Sequence, residues 1–160
     1  MPENLIKIQT EDFDLTQLNT WLQQSDSSYG ALVTFTGVVR DSIGADLEQL
    51  FLEHYPGMTQ KCLLNIVERA RARWSLGRIA VVHRVGELTI NENIVFVGVI
   101  SAHRVEAFQA TQFIMDYLKK EAPFWKKELT AKSKAWVEQK QSDLEAAGQW
   151  GSAEDLGNSE

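Results

Sequence analysis

The sequence SAHRVEAFQATQFIMDYLKKEAPFWKKE, residues 101–128, is typical of one long helix followed by a short strand. Ser101 is a candidate N-cap, and Pro123 ends the helix because proline has no amide hydrogen to donate. We therefore expect a helix over residues 102–121 and a returning strand over residues 124–129. The predicted helix has a broad apolar face formed by Val105, Ala107, Phe108, Ala110, Ile114, Met115 and Leu118.

Charged residues gather at both ends of this predicted helix. His103 and Arg104 fall in its first turn, where free amide groups and the positive end of the helix dipole favour an anion. Lys119 falls in its last turn, and Lys126 follows beyond Pro123. These two lysines can meet only if the chain folds back, which the returning strand would achieve.

Outward from this segment, the chain alternates strand and helix patterns. We predict strands over residues 5–8, 30–40, 47–55, 78–85, 93–101 and 135–139, and helices over residues 14–22 and 59–74. Strands 30–40 and 47–55 are expected to form a hairpin across the turn at residues 41–46, and strands 124–129 and 135–139 a closing hairpin. Residues 93–101 are the most apolar and are expected in the middle of the sheet. This order predicts an α+β fold with a mixed or antiparallel sheet.

Length and composition narrow the classes of protein. The 160 residues suit one domain, which we expect over residues 1–143, before a flexible acidic tail over residues 144–160. No apolar run approaches the ~20 residues of a membrane helix and no signal peptide is recognisable, so we expect no membrane and a cytoplasmic location. The net charge of −6 argues against binding nucleic acid through the overall field.

The single cysteine and two of the histidines favour structural roles. Cys62 cannot form an internal disulfide, and its place on a helix face beside Ile66 predicts an inert core thiol. His54 and His83 follow apolar strand segments and are expected to be structural. We expect no metal and no cofactor.

The cationic residues allow two interpretations. Arg40 ends a predicted strand, either as a solvated side chain or as a bidentate ligand for an anion. Lys119, Lys120, Lys126 and Lys127 form a basic cluster, and such clusters are usually solvated. The adjacent Phe124 and Trp125 favour partial burial of the lysine stems. The residues alone therefore predict an anion-binding pocket on an α+β domain.

Five segments together resemble the large, catalytic subunits of molybdopterin synthases. They are VTFTGVVR at 33–40, LEHYPGMT at 52–59, HRVGEL at 83–88, FVGVISAHR at 96–104 and FIMDYLKKEAPFWKKE at 113–128. The resemblance runs in register over residues 29–142. It implies an α/β-hammerhead-like domain with a mixed or antiparallel sheet and an additional α+β subdomain.

The resemblance also implies an activity and partners. The expected enzyme is a sulfurtransferase of molybdenum cofactor biosynthesis, which converts cyclic pyranopterin monophosphate into the molybdopterin dithiolene by adding two sulfurs. Sulfur arrives as a thiocarboxylate on the C-terminal Gly-Gly of a small ubiquitin-like subunit, whose tail threads into the large subunit. The expected assembly is a heterotetramer with a central homodimer of large subunits.

Residue roles follow by the same resemblance. Lys119 and Lys126 are the expected catalytic residues, with Lys119 beside the thiocarboxylate carbon. The remaining expected substrate contacts are Val38, Val39, Arg40, His103, Arg104, Lys127 and Glu128, with Arg40 and Lys126 at the pterin phosphate and the His103–Arg104 pair supplied by the neighbouring large subunit. Val38 stands where a lysine is expected, and Lys140 where an arginine is expected.

Two other classes of function remain as alternatives. A non-catalytic docking module for a ubiquitin-like tail would bind the tail without Lys119 and turn over no pterin. A phosphodiesterase-like hydrolase with His103 as acid and base would open the cyclic phosphate without a partner. No carboxylate paired with His103 is recognisable in the sequence, which counts against the hydrolase.

Overall fold

The structure is a computed structural model that describes residues 2–41, 47–130, 134–137, 141–148 and 150. In chain order these residues form β1 (Asn4–Gln9), α1 (Leu15–Gln23), β2 (Ala31–Val38), β3 (Leu47–His54), α2 (Met58–Arg73), β4 (Ile79–Arg84), β5 (Gly86–Leu88), β6 (Asn93–Ser101), α3 (Arg104–Glu121), β7 (Phe124–Thr130), β8 (Lys134–Val137) and α4 (Gln141–Gly148). None of these helices combines the length and apolarity that crossing a bilayer requires.

The first sheet has the strand order β1-β4-β6-β2. β1 runs parallel to β4, while β4 and β2 are both antiparallel to β6. Side chains alternate between the two faces of a strand, so β4 contributes Val81 to the core under α2 and α3, and Val82 to the core under α1. Gly98 of β6 allows α1 to approach closely, because a Cβ there would lie 2.5 Å from Leu22 Cδ1.

The second sheet has the order β5-β3-β7-β8 and is antiparallel throughout. Its inner face buries Leu50, Leu52 and Leu88 together with Val39, which follows β2 of the first sheet. Ile94 packs against this cluster and also against the core of the first sheet. The two sheets therefore share a continuous apolar interior. The predicted α+β class, the central position of β6 and the closing hairpin β7–β8 are confirmed.

The predicted hairpin between β2 and β3 is wrong. β2 pairs with β6 of the first sheet, and β3 pairs with β5 and β7 of the second, so the chain changes sheets between them. β2 pairs along its whole length with β6, the most apolar strand, whereas β3 pairs with later strands of the second sheet. Residues 42–46, the predicted turn, lie outside the described residues. β5 was not predicted because three residues are too short to show a strand period.

The start of α3 also differs from the prediction. The N-cap is His103, whereas Ser101 ends β6 and its buried Oγ donates to the carbonyl of His103 at 2.5 Å. Val105 and Phe108, expected on the buried face, are 56% and 62% exposed. The face that α3 buries is instead a neighbouring stripe made of Ala107, Ala110, Thr111, Phe113, Ile114, Tyr117 and Leu118.

Helical structure continues past residue 143, where a flexible tail was expected. α4 packs on α3, and Ala147 is fully buried. The ring of Trp150 contacts Trp74 and Phe113, and its Nε1 donates to a carboxylate oxygen of Asp116. Residues 144–148 thus continue a helix, and Trp150 packs on the domain. Residues 151–160 lie outside the described residues, and the division into one domain and a tail stays a prediction.

We predict that Trp150→Ala lowers the free energy of unfolding by about 2 kcal/mol, because it removes a large aromatic contact from the side of α3. Urea denaturation followed by circular dichroism measures this change. Trp125→Ala is the matched control, since Trp125 is exposed and is expected to change stability by less than about 1 kcal/mol. Equal losses in both variants would contradict the packing of Trp150 on α3.

Candidate functional site

A chain reversal at Pro123 connects α3 to β7. The last turn of α3 closes with the amide of Ala122 donating to the carbonyl of Leu118, and β7 begins at Phe124. The hydroxyl of the fully buried Thr59 donates to the Pro123 carbonyl at 3.0 Å and accepts from the amide of Tyr55 at 2.9 Å. The predicted returning strand is confirmed, and the start of α2 holds the reversal in place.

The register of β7 determines which of its side chains share a face. Lys126 lies directly opposite Leu52, and Glu128 opposite Leu50. Directly opposed residues in an antiparallel pair project to the same side, and both leucines are buried in the inner core of the second sheet. The half-buried Lys126 and Glu128 therefore project from this inner face. Lys127, one position away, projects from the opposite face.

Arg40 directly follows a residue that is buried against this inner face. It follows Val39, which is 2% exposed and belongs to the buried cluster of Leu50 and Leu52. The backbone of Val39 is also fixed, because its amide donates to the Glu92 carbonyl and its carbonyl accepts from the Asn91 amide, both at 2.8 Å. Val39 thus anchors the exposed Arg40, and its buried side chain does not support the predicted substrate contact. Val38, at the end of β2, is exposed.

Lys119 joins this region from the end of α3. His83 of β4 is 6% exposed and stacks on the ring of Phe124, with ring centroids 3.8 Å apart and an interplanar angle of 16°. The pKa of His83 is lowered to about 4, mainly by burial and also by the positive charges of Lys119 and His54, against the raising effect of its hydrogen bond to the Arg84 carbonyl. Lys119 therefore lies within electrostatic range of His83.

Phe124 links the surroundings of Lys119 to those of Lys126. This ring contacts His83, which lies near Lys119, and it shares a face of β7 with Lys126 two residues further along. Lys126 shares its face of β7 with Phe124, and Lys119 lies near His83, on which Phe124 stacks. Arg40 follows Val39 of the buried cluster in the same sheet. His83 is a buried, neutral residue at pH 7.

A cleft of about 380 Å³ lies between β2 and α3, and Lys119 is the lining residue furthest along α3. Its lining residues are Val33, Thr34, Phe35, Phe108, Thr111, Gln112, Met115, Asp116 and Lys119. Phe108, Met115 and Lys119 are spaced by seven and four residues, which places them on one stripe of the helix. This stripe lies beside the buried stripe of α3. Its spacing is visible in the sequence and indicates the cleft, whereas we expected Phe108 on the buried face.

His103 and Arg104 are not brought to the lysines within one chain. Both side chains are exposed at the start of α3, and that of His103 makes no capping hydrogen bond. At 1.5 Å per residue, Arg104 and Lys119 are separated by about 22 Å along the helix axis. Glu106 also lies in the first turn, where its carboxylate competes with an external anion for the positive end of the dipole.

Comparison with known proteins identifies the family. The family model described as MoaE protein matches residues 8–121 of this chain. The chain belongs to the MoaE protein family. A curated relative from Escherichia coli (strain K12), named molybdopterin synthase catalytic subunit, is 52% identical over 151 residues, covering 94% of this chain and 100% of the relative. Another from Yersinia pestis with the same name is 53% identical, covering 94% and 99%.

Solved structures agree with this membership of the MoaE family. The molybdopterin biosynthesis MoaE protein from Burkholderia ambifaria MC40-6 superposes with a TM-score of 0.81 at 44% identity, covering 93% of this chain and 99% of that one. The fold of the present chain is therefore that of the MoaE family, as the resemblance of its five segments predicted.

We predict a pH-dependent stability that originates at His83. The pKa of His83 is 6.5 when unfolded and about 4 when folded, so between these values the unfolded chain binds a proton that the folded chain excludes. The free energy of unfolding should therefore fall by roughly 3 kcal/mol as the pH falls from 6.5 to 4. Urea denaturation at a series of pH values, with His83→Phe as the variant that cannot titrate, measures this. Identical pH dependence in the two proteins would contradict the assignment to His83.

Proposed function

We propose that this chain is the catalytic subunit of a molybdopterin synthase. In this function it transfers two sulfurs from the C-terminal thiocarboxylate of a small ubiquitin-like subunit to cyclic pyranopterin monophosphate, giving the molybdopterin dithiolene. The observation that supports this most directly is the reversal at Pro123, which places the strand that carries Lys126 directly after the helix end that carries Lys119, a residue that also lines the cleft between β2 and α3. The names of the relatives point to the same reaction, and the cytoplasmic location expected from the sequence stays a prediction.

A local cationic pocket suits the charges of both substrates. The cyclic phosphate and the thiocarboxylate are anions, whereas the chain as a whole carries −6. In the proposed site, two lysines and an arginine supply positive potential where the overall field is unfavourable. Arg40 can bind phosphate oxygens in a bidentate manner, and Lys126 faces the same region, so we assign both to the pterin phosphate.

The chemistry at Lys119 concerns the acyl carbon of the tail. The thiocarboxylate sulfur forms a bond to a side-chain carbon of the pterin and replaces the oxygen on that carbon, which leaves as a phosphate oxygen or as water. Water then cleaves the bond between sulfur and the acyl carbon, which leaves a carboxylate on the tail and a thiolate on the pterin. Negative charge develops on the acyl oxygen while water attacks. The ammonium group of Lys119 at the end of the cleft is placed to stabilise that charge, which is usually the largest contribution to such a reaction.

The cleft between β2 and α3 has the form expected of a path for the tail. Val33, Phe35, Phe108 and Met115 make its walls largely apolar. From Phe108 to Lys119 the helix rises about 16 Å, which corresponds to about five residues of extended chain. A Gly-Gly end has no side chains and can enter a narrow passage at its inner end. We therefore assign the cleft to the partner's tail, with its terminus at Lys119.

A second copy of the chain is needed to complete the proposed site. His103 and Arg104 lie about 22 Å from Lys119 along α3 of their own chain, too far for one small substrate to contact both. We assign this pair to the pocket of the neighbouring copy, within a homodimer that carries a small subunit at each end. The same separation leaves a hydrolase centred on His103 without support from the lysines.

The other predicted substrate contacts differ in their support. Glu128 projects from the same inner face as Lys126 and remains a proposed contact. Lys127 projects from the opposite face of β7, so a contact with the same pterin is not supported by the register. Val38 is exposed at the end of β2 and remains a proposed contact. Lys140 lies outside the described residues.

We predict that Lys119→Ala lowers the turnover rate at least about 100-fold, because it removes the positive charge that stabilises the acyl oxygen. The assay combines the chain, cyclic pyranopterin monophosphate and a thiocarboxylated small subunit, and measures the dithiolene product. Cys62→Ala is the matched control and should retain activity, because burial raises the pKa of the Cys62 thiol and keeps it protonated.

The three possible results of this assay separate the hypotheses. Product from the wild type and Cys62→Ala, but not from folded Lys119→Ala, supports the proposed function. Tail binding without product in any of the three proteins would instead indicate a docking module. Opening of the cyclic phosphate without the small subunit would indicate a hydrolase.

We predict that two inactive variants restore activity when they are mixed within one dimer. Arg104→Ala and Lys119→Ala should each be inactive alone, because each lacks one half of a shared site. In a mixed dimer one of the two sites regains both residues, so the isolated mixed dimer should show about half of the wild-type activity, and an unsorted random mixture about a quarter. Co-expression with different affinity tags isolates the mixed dimer for the assay. Activity no higher than that of the separate variants would contradict a site shared between copies.

A further inference from the structure

The ring of His83 is buried and is also held in one orientation. It lies on the face of β4 that Ile79 and Val81 also occupy, which is the face covered by α2 and α3. Its Nδ1 is 2.8 Å from the carbonyl oxygen of Arg84, and since a carbonyl only accepts, Nδ1 carries the hydrogen. The plane and tautomer of the imidazole are thereby fixed by its own strand.

The strand end that carries His83 is itself firmly held. The guanidinium of Arg84, 7% exposed, donates to the carbonyl of Thr10 through Nη2 at 3.0 Å and to the carbonyl of Asn93 through Nη1 at 3.0 Å. These bonds join β4 to the residues after β1 and to the start of β6. His83 thus presents a flat ring on a rigid base.

Phe124 rests on that ring and transmits its position to β7. The two rings are nearly parallel, and Phe124 is the first residue of β7. Phe124 shares its face of the strand with Lys126, so a shift of its ring also shifts the side of β7 that carries Lys126. The positive charges of Lys119 and His54 act on the imidazole. His83 is thus a contact between the first sheet and the strand that carries Lys126.

We propose that His83 is a positioning residue for sulfur transfer, which sets Lys126 relative to Lys119 through its stacking on Phe124. This inference rests on the proposed function and deepens it. In this role His83 contacts neither substrate and exchanges no proton in the reaction. It holds the first residue of β7 in position. A displacement of about 1 Å at a reacting centre can cost about 100-fold in rate, so removal of the ring is expected to lower kcat more than it weakens binding of the small subunit.

Three variants test this proposal in the turnover assay. His83→Ala removes the ring and should lower kcat by about 10- to 100-fold, with KM for the thiocarboxylated small subunit within about threefold of wild type. His83→Phe retains a flat ring that can stack and should keep kcat within about threefold of wild type. Val82→Ala is the matched control, because Val82 is equally buried on the opposite face of β4 and should leave kcat unchanged.

Amide hydrogen exchange of residues 124–128 provides a readout that does not need turnover. Exchange should be faster in His83→Ala than in wild type, and unchanged in His83→Phe and Val82→Ala. Wild-type kcat or unchanged exchange in His83→Ala would overturn the proposal, as would a folded His83→Phe that is as impaired as His83→Ala. A wild-type chain that makes no product but shows the expected exchange pattern would contradict the proposed function and leave the positioning of β7 supported.

Discussion

The reversal at Pro123 is the constraint on which the candidate site depends. Proline ends α3, and the buried hydroxyl of Thr59 then bridges the Pro123 carbonyl and the Tyr55 amide. Loss of that hydroxyl would leave two buried backbone groups without a partner, at a cost of about 1–3 kcal/mol each. Arg69 adds a second restraint, since its guanidinium donates to both carboxylate oxygens of Glu121 at 2.7 and 3.1 Å. α2 thus fixes both the end of α3 and the start of β7.

Because side chains alternate between the two faces of a strand, every second residue of β7 lies on the inner face. Phe124 contacts the first sheet, and Lys126 and Glu128 follow on the same inner face of the second sheet. Because the opposed Leu50 and Leu52 are buried, a slip of one residue would turn Lys126 to the outer side and expose the face that packs on Val39. The apolar interior of the second sheet therefore specifies the position of the cation. In this way the same packing that stabilises the MoaE fold also positions the groups proposed for catalysis.

Some of this arrangement could be predicted from the sequence because its causes are local. Pro123 and the lysines on either side of it predict a helix end and a returning strand, and hence the approach of Lys119 to Lys126. The cleft could not be predicted in the same way. Phe108 is as apolar as a core residue, and hydrophobicity alone does not distinguish a helix stripe that lines a cleft from one that is buried.

Features that depend on distant or separate parts of the chain could not be predicted from the residues. Adjacent strand patterns such as β2 and β3 suggest a hairpin, but only tertiary packing shows that they belong to different sheets. The proposed role of Arg104 requires a second copy of the chain, which no local pattern specifies. His83 follows an apolar strand segment, and its stacking on Phe124 joins residues 41 positions apart in sequence.

A crystal structure of the chain bound to a peptide that carries the last residues of the small subunit and ends in Gly-Gly would test the proposed site most directly. We expect the peptide in the cleft between β2 and α3, its terminal carboxylate within hydrogen-bonding distance of Lys119 Nζ, and Lys126 on the same side of β7. Arg104 of a second copy should face the same pocket. A peptide bound away from the cleft, or Lys126 on the outer face of the second sheet, would contradict the account.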